Sequence, residues 1–336
     1  MKENSKEYIK QQLSANKGYL TKTGVLKKGY KYLADKFGCS QILIKEIVFE
    51  IRQSNKEEFN NEVAKFIEKS RTVATKIVNY NKIKKQSDIN SGTYWITGCA
   101  HAPWHNKKMY ESTFNYLSKE VDLEGIILAG DIADLASLSS HDRGKTPIPG
   151  VTLSWEYDKV NKFLDEIDSI KSNINYKAYL YGNHEDRYLR AIKDVDIAKY
   201  GKSLISPIEG LKLDSRGYDV KTDWKNDCIS LGRHLDINHG EFLNVHSAKK
   251  TIDTYRKSIM YFHTHRFQIY LEGNVGGWNM GSGADFNAPI FGYATRAMKN
   301  SWVNSSALAT LDKDGYYHIE PLLFINNKLI INGKEY

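Results

Sequence analysis

The spacing of hydrophobic positions changes near residue 90. Before it, apolar residues recur at helical intervals: Tyr30, Leu33, Ala34 and Phe37 stand at i, i+3, i+4 and i+7, which predicts one buried helix face. Gly38 supplies a terminator, and Ser40 can cap a second helix that turns Ile44, Ile47, Val48 and Ile51 inward. Phe59, Val63, Phe66, Val73 and Ile77 follow a 4,3 spacing that predicts another amphipathic helix over 56–78, with Ser70 interrupting its seam. Such a seam can join two copies of the chain or pack on the preceding helices. No proline and no convincing strand pattern occur in residues 1–90.

Beyond the polar stretch from Asn79 to Gly92, short apolar runs alternate with amphipathic ones. Residues 94–97, 125–129, 176–181 and 235–238 read as strands, and 107–120, 152–170 and 185–200 as helices between them. From Ile259 onward the chain reads as mostly β, with Asp-Gly and Asn-Asn turns. The pattern predicts two domains, a helical one over 1–90 including a linker and an α/β one over 91–336. Alternating strands and helices place a covered sheet at the centre of the second.

Composition narrows the class without naming it. A chain of 336 residues with 41% hydrophobic and 26% charged residues is ordinary for a globular protein. No apolar stretch approaches the roughly 20 residues that cross a bilayer, so no membrane partner is expected. The charged start Met1-Lys2-Glu3-Asn4 lacks the apolar core of a secretory signal, and three scattered cysteines do not form a disulfide framework. Both features predict an intracellular, cytoplasmic chain.

Charge changes the picture more. Residues 1–90 hold 19 Lys and Arg against 10 Asp and Glu, a net of +9, whereas the remainder holds 29 against 30, a net of −1, so the whole basic excess sits in the amino-terminal segment. A basic helical segment predicts nucleic acid as partner. Two helices joined by a short Gly-containing turn form a helix-turn-helix unit, whose second helix would turn Gln41, Lys45 and Arg52 toward DNA. A helical accessory domain that binds nothing accounts for the same pattern.

The chemistry lies in five short motifs, each following a strand-like run: Cys99-Ala100-His101, Gly130-Asp131-Ile132-Ala133-Asp134, Gly182-Asn183-His184-Glu185, His239-Gly240 and His263-Thr264-His265. Loops at the carboxyl ends of α/β strands converge, so these imidazoles, carboxylates, amide and thiol can meet. Asp131 has two oxygens and can bridge two cations, and the i, i+2 spacing of His263 and His265 puts both on one side of a strand. Paired ions polarise a phosphoryl oxygen and lower the pKa of water. His184 can protonate a leaving oxygen, with Asp134, one helical turn after Asp131, orienting the imidazole.

In order and spacing these motifs resemble the calcineurin-like metallophosphoesterase superfamily over roughly residues 92–320. More narrowly, His101-Ala102-Pro103-Trp104-His105, Ser139-Ser140-His141 and Gly182-Asn183-His184-Glu185-Asp186-Arg187 are similar to phage-encoded members, some of which carry an amino-terminal helix-turn-helix. The resemblance implies a four-layer α-β-β-α sandwich, here with a small all-α amino-terminal domain, and two divalent ions (Zn, Fe or Mn). It implies residue 99, His101, Asp131 and His265 at one ion, Asp131, Asn183, His239 and His263 at the other, and Asp134 with His184 as the leaving-group pair. Two positions depart from the family pattern. Phe262 stands where glycine is usual, a change beside the ligands that tightens the turn. Cys99 stands where aspartate is usual, and three readings follow: a thiolate ligand favouring Zn or Fe, a non-ligand that weakens the first ion's site, or a decayed site.

Arg187 and His105 lie near the motifs and can hold substrate phosphate, although loop residues of this kind are as often surface features. The sequence therefore predicts a metal-dependent phosphodiesterase, a DNA nuclease or related enzyme, with a basic DNA-binding segment. Hydrolysis of a small nucleotide phosphoester is one rival, and a catalytically weakened DNA-binding protein is the other.

Overall fold

The structure is a computed structural model that describes residues 5–15, 29–51, 91–139, 148, 150–193 and 204–336. The chain forms two units, Met1–Ser87 and Asp88–Tyr336. Among the described residues, no helix is long and apolar enough to cross a membrane.

In the first unit, α1 (Lys6–Ala15), α2 (Tyr30–Phe37) and α3 (41–51) bury Ile9, Leu13, Leu33, Ala34, Ile44, Ile47, Val48 and Ile51 together. Gly38 ends α2 in the left-handed conformation, with φ 60°, and the Cys39 N–H returns to the Ala34 carbonyl at 3.0 Å. Ser40 then caps α3, its Oγ accepting from the Leu43 N–H at 3.2 Å. Lys6 and Lys10 of α1 meet Glu50 of α3 at 2.6 and 3.1 Å. Gln41 and Lys45 lie on the exposed side of α3, while Arg52 and the helix expected over 56–78 fall outside the described residues.

The second unit is mixed α/β with two sheets. The larger has strand order β13-β12-β11-β10-β1-β2-β3-β4, in which β1 (Gly92–Thr97), β2 (Leu123–Ala129), β3 (Tyr176–Leu180) and β4 (Asp219–Lys221) run parallel. The antiparallel strands β10 (Asn304–Leu311), β11 (Tyr317–Ile325), β12 (Lys328–Ile331) and β13 (Lys334–Glu335) complete it. The smaller sheet has order β5-β6-β7-β9-β8, from β5 (Ile229–Leu231), β6 (Leu235–Ile237), β7 (Ser258–Tyr261), β8 (Phe267–Glu272) and β9 (Val275–Met280).

Alternation along each strand explains the layers. Trp95, Ile126, Leu128 and Tyr179 face α4 (Lys107–Glu120) and α5 (Leu153–Asp168), contributing to one core with Leu117, Val160 and Leu164. Their neighbours Tyr94, Ile96, Ile127, Ala129 and Ala178 point the other way and pack on Leu231, Leu235, Ile237, Met260 and Phe262 of the smaller sheet side. A further helix, Ser247–Tyr255, lies against β7, β8 and β9, burying Ala248, Thr251 and Ile252. The helix expected over 185–200 is seen as Asp186–Ala191 (α6), and residues 194–203 lie outside the described set. The Asn-Asn turn joins β11 to β12 with both Asn326 and Asn327 at positive φ, as a tight hairpin turn of this hand needs.

Candidate metal centre

The five motifs sit past the carboxyl ends of β1, β2, β3, β6 and β7, all members of parallel pairs. The loops after β1 and β2 stay zipped beyond the strands: Cys99 N–H donates to Gly130 O at 2.9 Å, His101 N–H to Asp131 O at 2.9 Å and Ala102 N–H to Ile132 O at 2.7 Å. Cys99, His101 and Asp131 thus inherit the strand register. Gly182 closes the neighbouring loop so tightly that a Cβ there would overlap Asp131 Oδ1.

Glu185 locks this arrangement. Its buried carboxylate accepts the N–H groups of Asp131 at 2.9 Å, Ile132 at 2.8 Å, Ala133 at 2.9 Å and Gly182 at 2.8 Å, and the Tyr179 hydroxyl at 2.8 Å. Burial, then the charge of Asp131, pushes its pKa up. Glu185 lies within the Gly182-Asn183-His184-Glu185 motif, which by itself does not show this bracing role. The signal was available only in its place beside His184.

Seven of the expected ligands come together. His239 Nδ1 lies 3.1 Å from the Ala129 carbonyl, which fixes the ring proton on Nδ1. Its Nε2 faces Asp131 Oδ2 at 3.2 Å, Asn183 Oδ1 at 3.2 Å and His263 Nδ1 at 3.1 Å. His101 Nδ1 meets Asp134 Oδ2 at 2.9 Å, leaving its Nε2 to face His265 Nε2 at 3.1 Å. Cys99 is fully buried, and its Sγ accepts the His263 N–H at 3.1 Å. Donor atoms of Cys99, His101 and His265 lie within 4.8 Å of one another, as do those of Cys99, Asp131 and His239.

A cation among such closely spaced buried nitrogen, oxygen and sulfur atoms would be held by several of them at once. A tetrahedral ion with bonds of about 2.0–2.1 Å has ligand–ligand edges of about 3.3 Å. The 3.1–3.2 Å approaches of nitrogen and oxygen here are close to that length, so the residues present fit divalent ions.

The electrostatics report the same crowding. Burial opposes ionisation of Asp131, but His239 and His184 outweigh it and hold the carboxyl well below the usual range. Burial likewise opposes protonation of His239, and Asp131 reverses it, raising that imidazole. Burial followed by the charge of His239 pushes His263 down to about 3, and burial followed by His101 takes His265 well below its ordinary value. Burial and then Asp131 push the Cys99 thiol up, opposed by the His263 N–H. A coordinating thiol is deprotonated outright when an ion binds.

Two local expectations need correction. His263 and His265 are not strand residues: β7 ends at Tyr261, and they take φ of 53° and 59° on either side of Thr264. They consequently diverge, His263 toward His239 and His265 toward His101. The Thr264 N–H reaches the Phe262 carbonyl at 2.5 Å, and the buried Phe262 ring packs over Gly98. Asp134 does not follow Asp131 by a helical turn, because residues 131–135 are non-helical, with Ala133 bridging to Ala102. Its carboxylate instead serves two imidazoles, His101 at 2.9 Å and His184 Nδ1 at 3.1 Å, and also Arg187 Nη1 at 3.0 Å.

The two expected substrate residues part company. Arg187 is tied to Asp134, and its Nη2 lies 3.3 Å from His184 Nε2, beside the cluster. His105 is drawn away into aromatic packing, stacked on Phe163 at 4.1 Å, with its Nδ1 buried and unpartnered. The walls of the site carry no motif in the sequence. Trp224 lies 6.1 Å from His239 and 6.0 Å from His263 between ring centroids, and Phe291 and Trp302 stand against His265 at 5.6 and 4.8 Å.

No family model matches the chain, and no curated protein matches it. Solved structures similar to it include Vacuolar Protein Sorting 29 from Cryptosporidium parvum, at 12% identity over 74% of this chain and 95% of that one, with a TM-score of 0.39. Chaetomium thermophilum Vps29 is similar at 12% identity over 68% and 94%, TM-score 0.32. A predicted phosphoesterase from Streptococcus pneumoniae TIGR4 is similar at 15% identity over 73% and 97%, TM-score 0.32. Likeness at this level carries no argument about chemistry, which rests on the side chains.

Proposed function

We propose that this chain is a metal-dependent phosphoesterase that hydrolyses phosphodiester bonds, with DNA as its substrate. The observation that carries the reading is the set of buried, mutually facing donors around Asp131. Cys99, His101, Asp131 and His265 would hold one divalent ion, and Asp131, Asn183, His239 and His263 the other. When bound, such ions supply Lewis acidity toward a phosphoryl oxygen and lower the pKa of water. The approach of Cys99 Sγ to both groups of donors favours the thiolate-ligand reading, and with it Zn or Fe over Mg.

The chain's own residues then do the rest. His184 keeps its Nδ1 on Asp134 and holds Nε2 3.9 Å from Asp131 Oδ2 and 3.3 Å from Arg187 Nη2, so a proton it passes to a leaving oxygen must take the place of the Arg187 contact. Arg187, held by the Asp134 carboxylate and carbonyl, fixes this imidazole and brings positive charge beside it. Phe291 and Trp302 limit water on the His101 and His265 side.

DNA as substrate is supported by the basic excess of residues 1–90, by the resemblance of the motifs, and by Gln41 and Lys45 on the exposed side of α3. The test is turnover of bis(4-nitrophenyl) phosphate and of plasmid DNA by purified chain with Zn, Fe(II) or Mn. Asp131→Asn and His184→Ala are each expected to lower kcat at least a hundredfold. Cys99→Asp is expected to keep activity and move the preference toward Mn. Diester turnover that survives Asp131→Asn would remove the reading.

A further inference from the structure

A cleft of about 180 Å³ opens beside the cluster, lined by Asn183, Asp186, Arg187, Arg190, Trp224 and Lys225. We propose that it binds one nucleotide unit of the substrate, with the base on the Trp224 indole and the adjoining phosphate at Arg190 and Lys225. The proposal rests on the phosphodiesterase reading and adds to it a recognition site for the base.

Asn183 ties the cleft to the chemistry, because the residue that lines it also points Oδ1 at His239 Nε2. A group seated there adjoins a phosphate held among the donors. Trp224 closes the same side, its ring centroid about 6 Å from both His239 and His263. Pockets for drug-sized ligands occupy roughly 300–1,000 Å³. The smaller volume here suits one planar group and its phosphate.

The charges divide by task. Arg187 is committed to Asp134 at 3.0 Å, so it serves the His184 side. Arg190 is half exposed; it braces the Asn183 carbonyl at 2.6 Å and pairs with Asp186 at 3.1 Å. Lys225 is exposed, with its ammonium 5.4 Å from the Trp224 ring centroid. An indole flanked by cations suits a ligand that has both a π-face and a phosphate, and every nucleobase supplies the first.

The turn that carries Trp224 is braced from within. Asp223 Oδ1 accepts the Lys225 N–H at 3.2 Å, Asp223 Oδ2 accepts Asn226 Nδ2 at 2.7 Å, and Asp227 Oδ2 accepts the Asp223 N–H at 3.0 Å. A preset turn costs little ordering when a base arrives.

The test is equilibrium binding to the full-length chain of thymidine monophosphate and of deoxyribose 5-phosphate, which keeps the phosphate and lacks the base. Thymidine monophosphate is expected to bind about tenfold or more tightly. Trp224→Ala should erase that difference and leave deoxyribose 5-phosphate unchanged, while Trp224→Phe keeps part of it. Lys225→Ala should weaken both ligands alike. A short oligothymidylate losing the same factor in Trp224→Ala assigns the cleft to a strand, and a loss confined to the monophosphate assigns it to a free nucleotide. Equal binding of the two monophosphates, or a base preference that survives Trp224→Ala, overturns the proposal. Turnover of bis(4-nitrophenyl) phosphate, measured on the same wild-type preparation, reports separately on the phosphodiesterase reading.

Discussion

Cys99, His101, Asp131, His263 and His265 all hold φ between 47° and 59°, a region that non-glycine residues rarely occupy. Such positions cost of order 1–3 kcal/mol each and collect at functional sites. Here they bring donors together from three loops. None of this was legible in the sequence, which showed the donor types and their order but not the bend at each. Glu185 was equally hidden, since its four backbone partners come from segments about 50 residues away as well as from Gly182. Glu185→Gln would set an amide N–H₂ against backbone N–H donors. We expect a loss of about 2–4 kcal/mol in urea denaturation at pH 7. His105 gives a pH signature of its own. Burial pushes it down to about 4, from an ordinary value of 6.5. The unfolded chain therefore takes up that proton first as pH falls, and stability drops between about 6.5 and 4. His105→Phe should narrow the stability difference between pH 7 and pH 4.5, read by urea titration at both.

Strand ends decide where chemistry can sit at the scale of elements. The apolar runs before Cys99, Asp131, Asn183, His239 and His263 were readable because buried parallel strands need them. Their convergence followed from parallel pairing of β1 with β2, β2 with β3 and β6 with β7. What the pattern could not show is the bracing from β9. Buried Asn279 donates to Thr264 Oγ1 at 2.5 Å, holding the turn between the His263 and His265 imidazoles. Asn279→Ala is expected to weaken metal retention about tenfold in a chelator competition while leaving the circular dichroism spectrum unchanged. The capped turn from α2 to α3 was legible, because Gly38 and Ser40 carry strong local preferences. If α3 meets DNA, Lys45→Ala should lower duplex affinity and reduce the slope of log K against log salt by about one.

At the scale of the whole molecule, charge and buried donors separate along the boundary that hydrophobic spacing marks. The basic excess belongs to residues 1–90, which carry +9 against −1 for the rest, and the buried donors belong to the α/β unit. The central claim is that paired cations gather in the second unit around Asp131. Metal content of the purified chain, by elemental analysis after dialysis with Zn, tests it most directly. Two ions per chain in the wild type, and fewer in Asp131→Asn, are the expected result. A chain that retains no metal, or an Asp131→Asn variant that retains as much as the wild type, would contradict it.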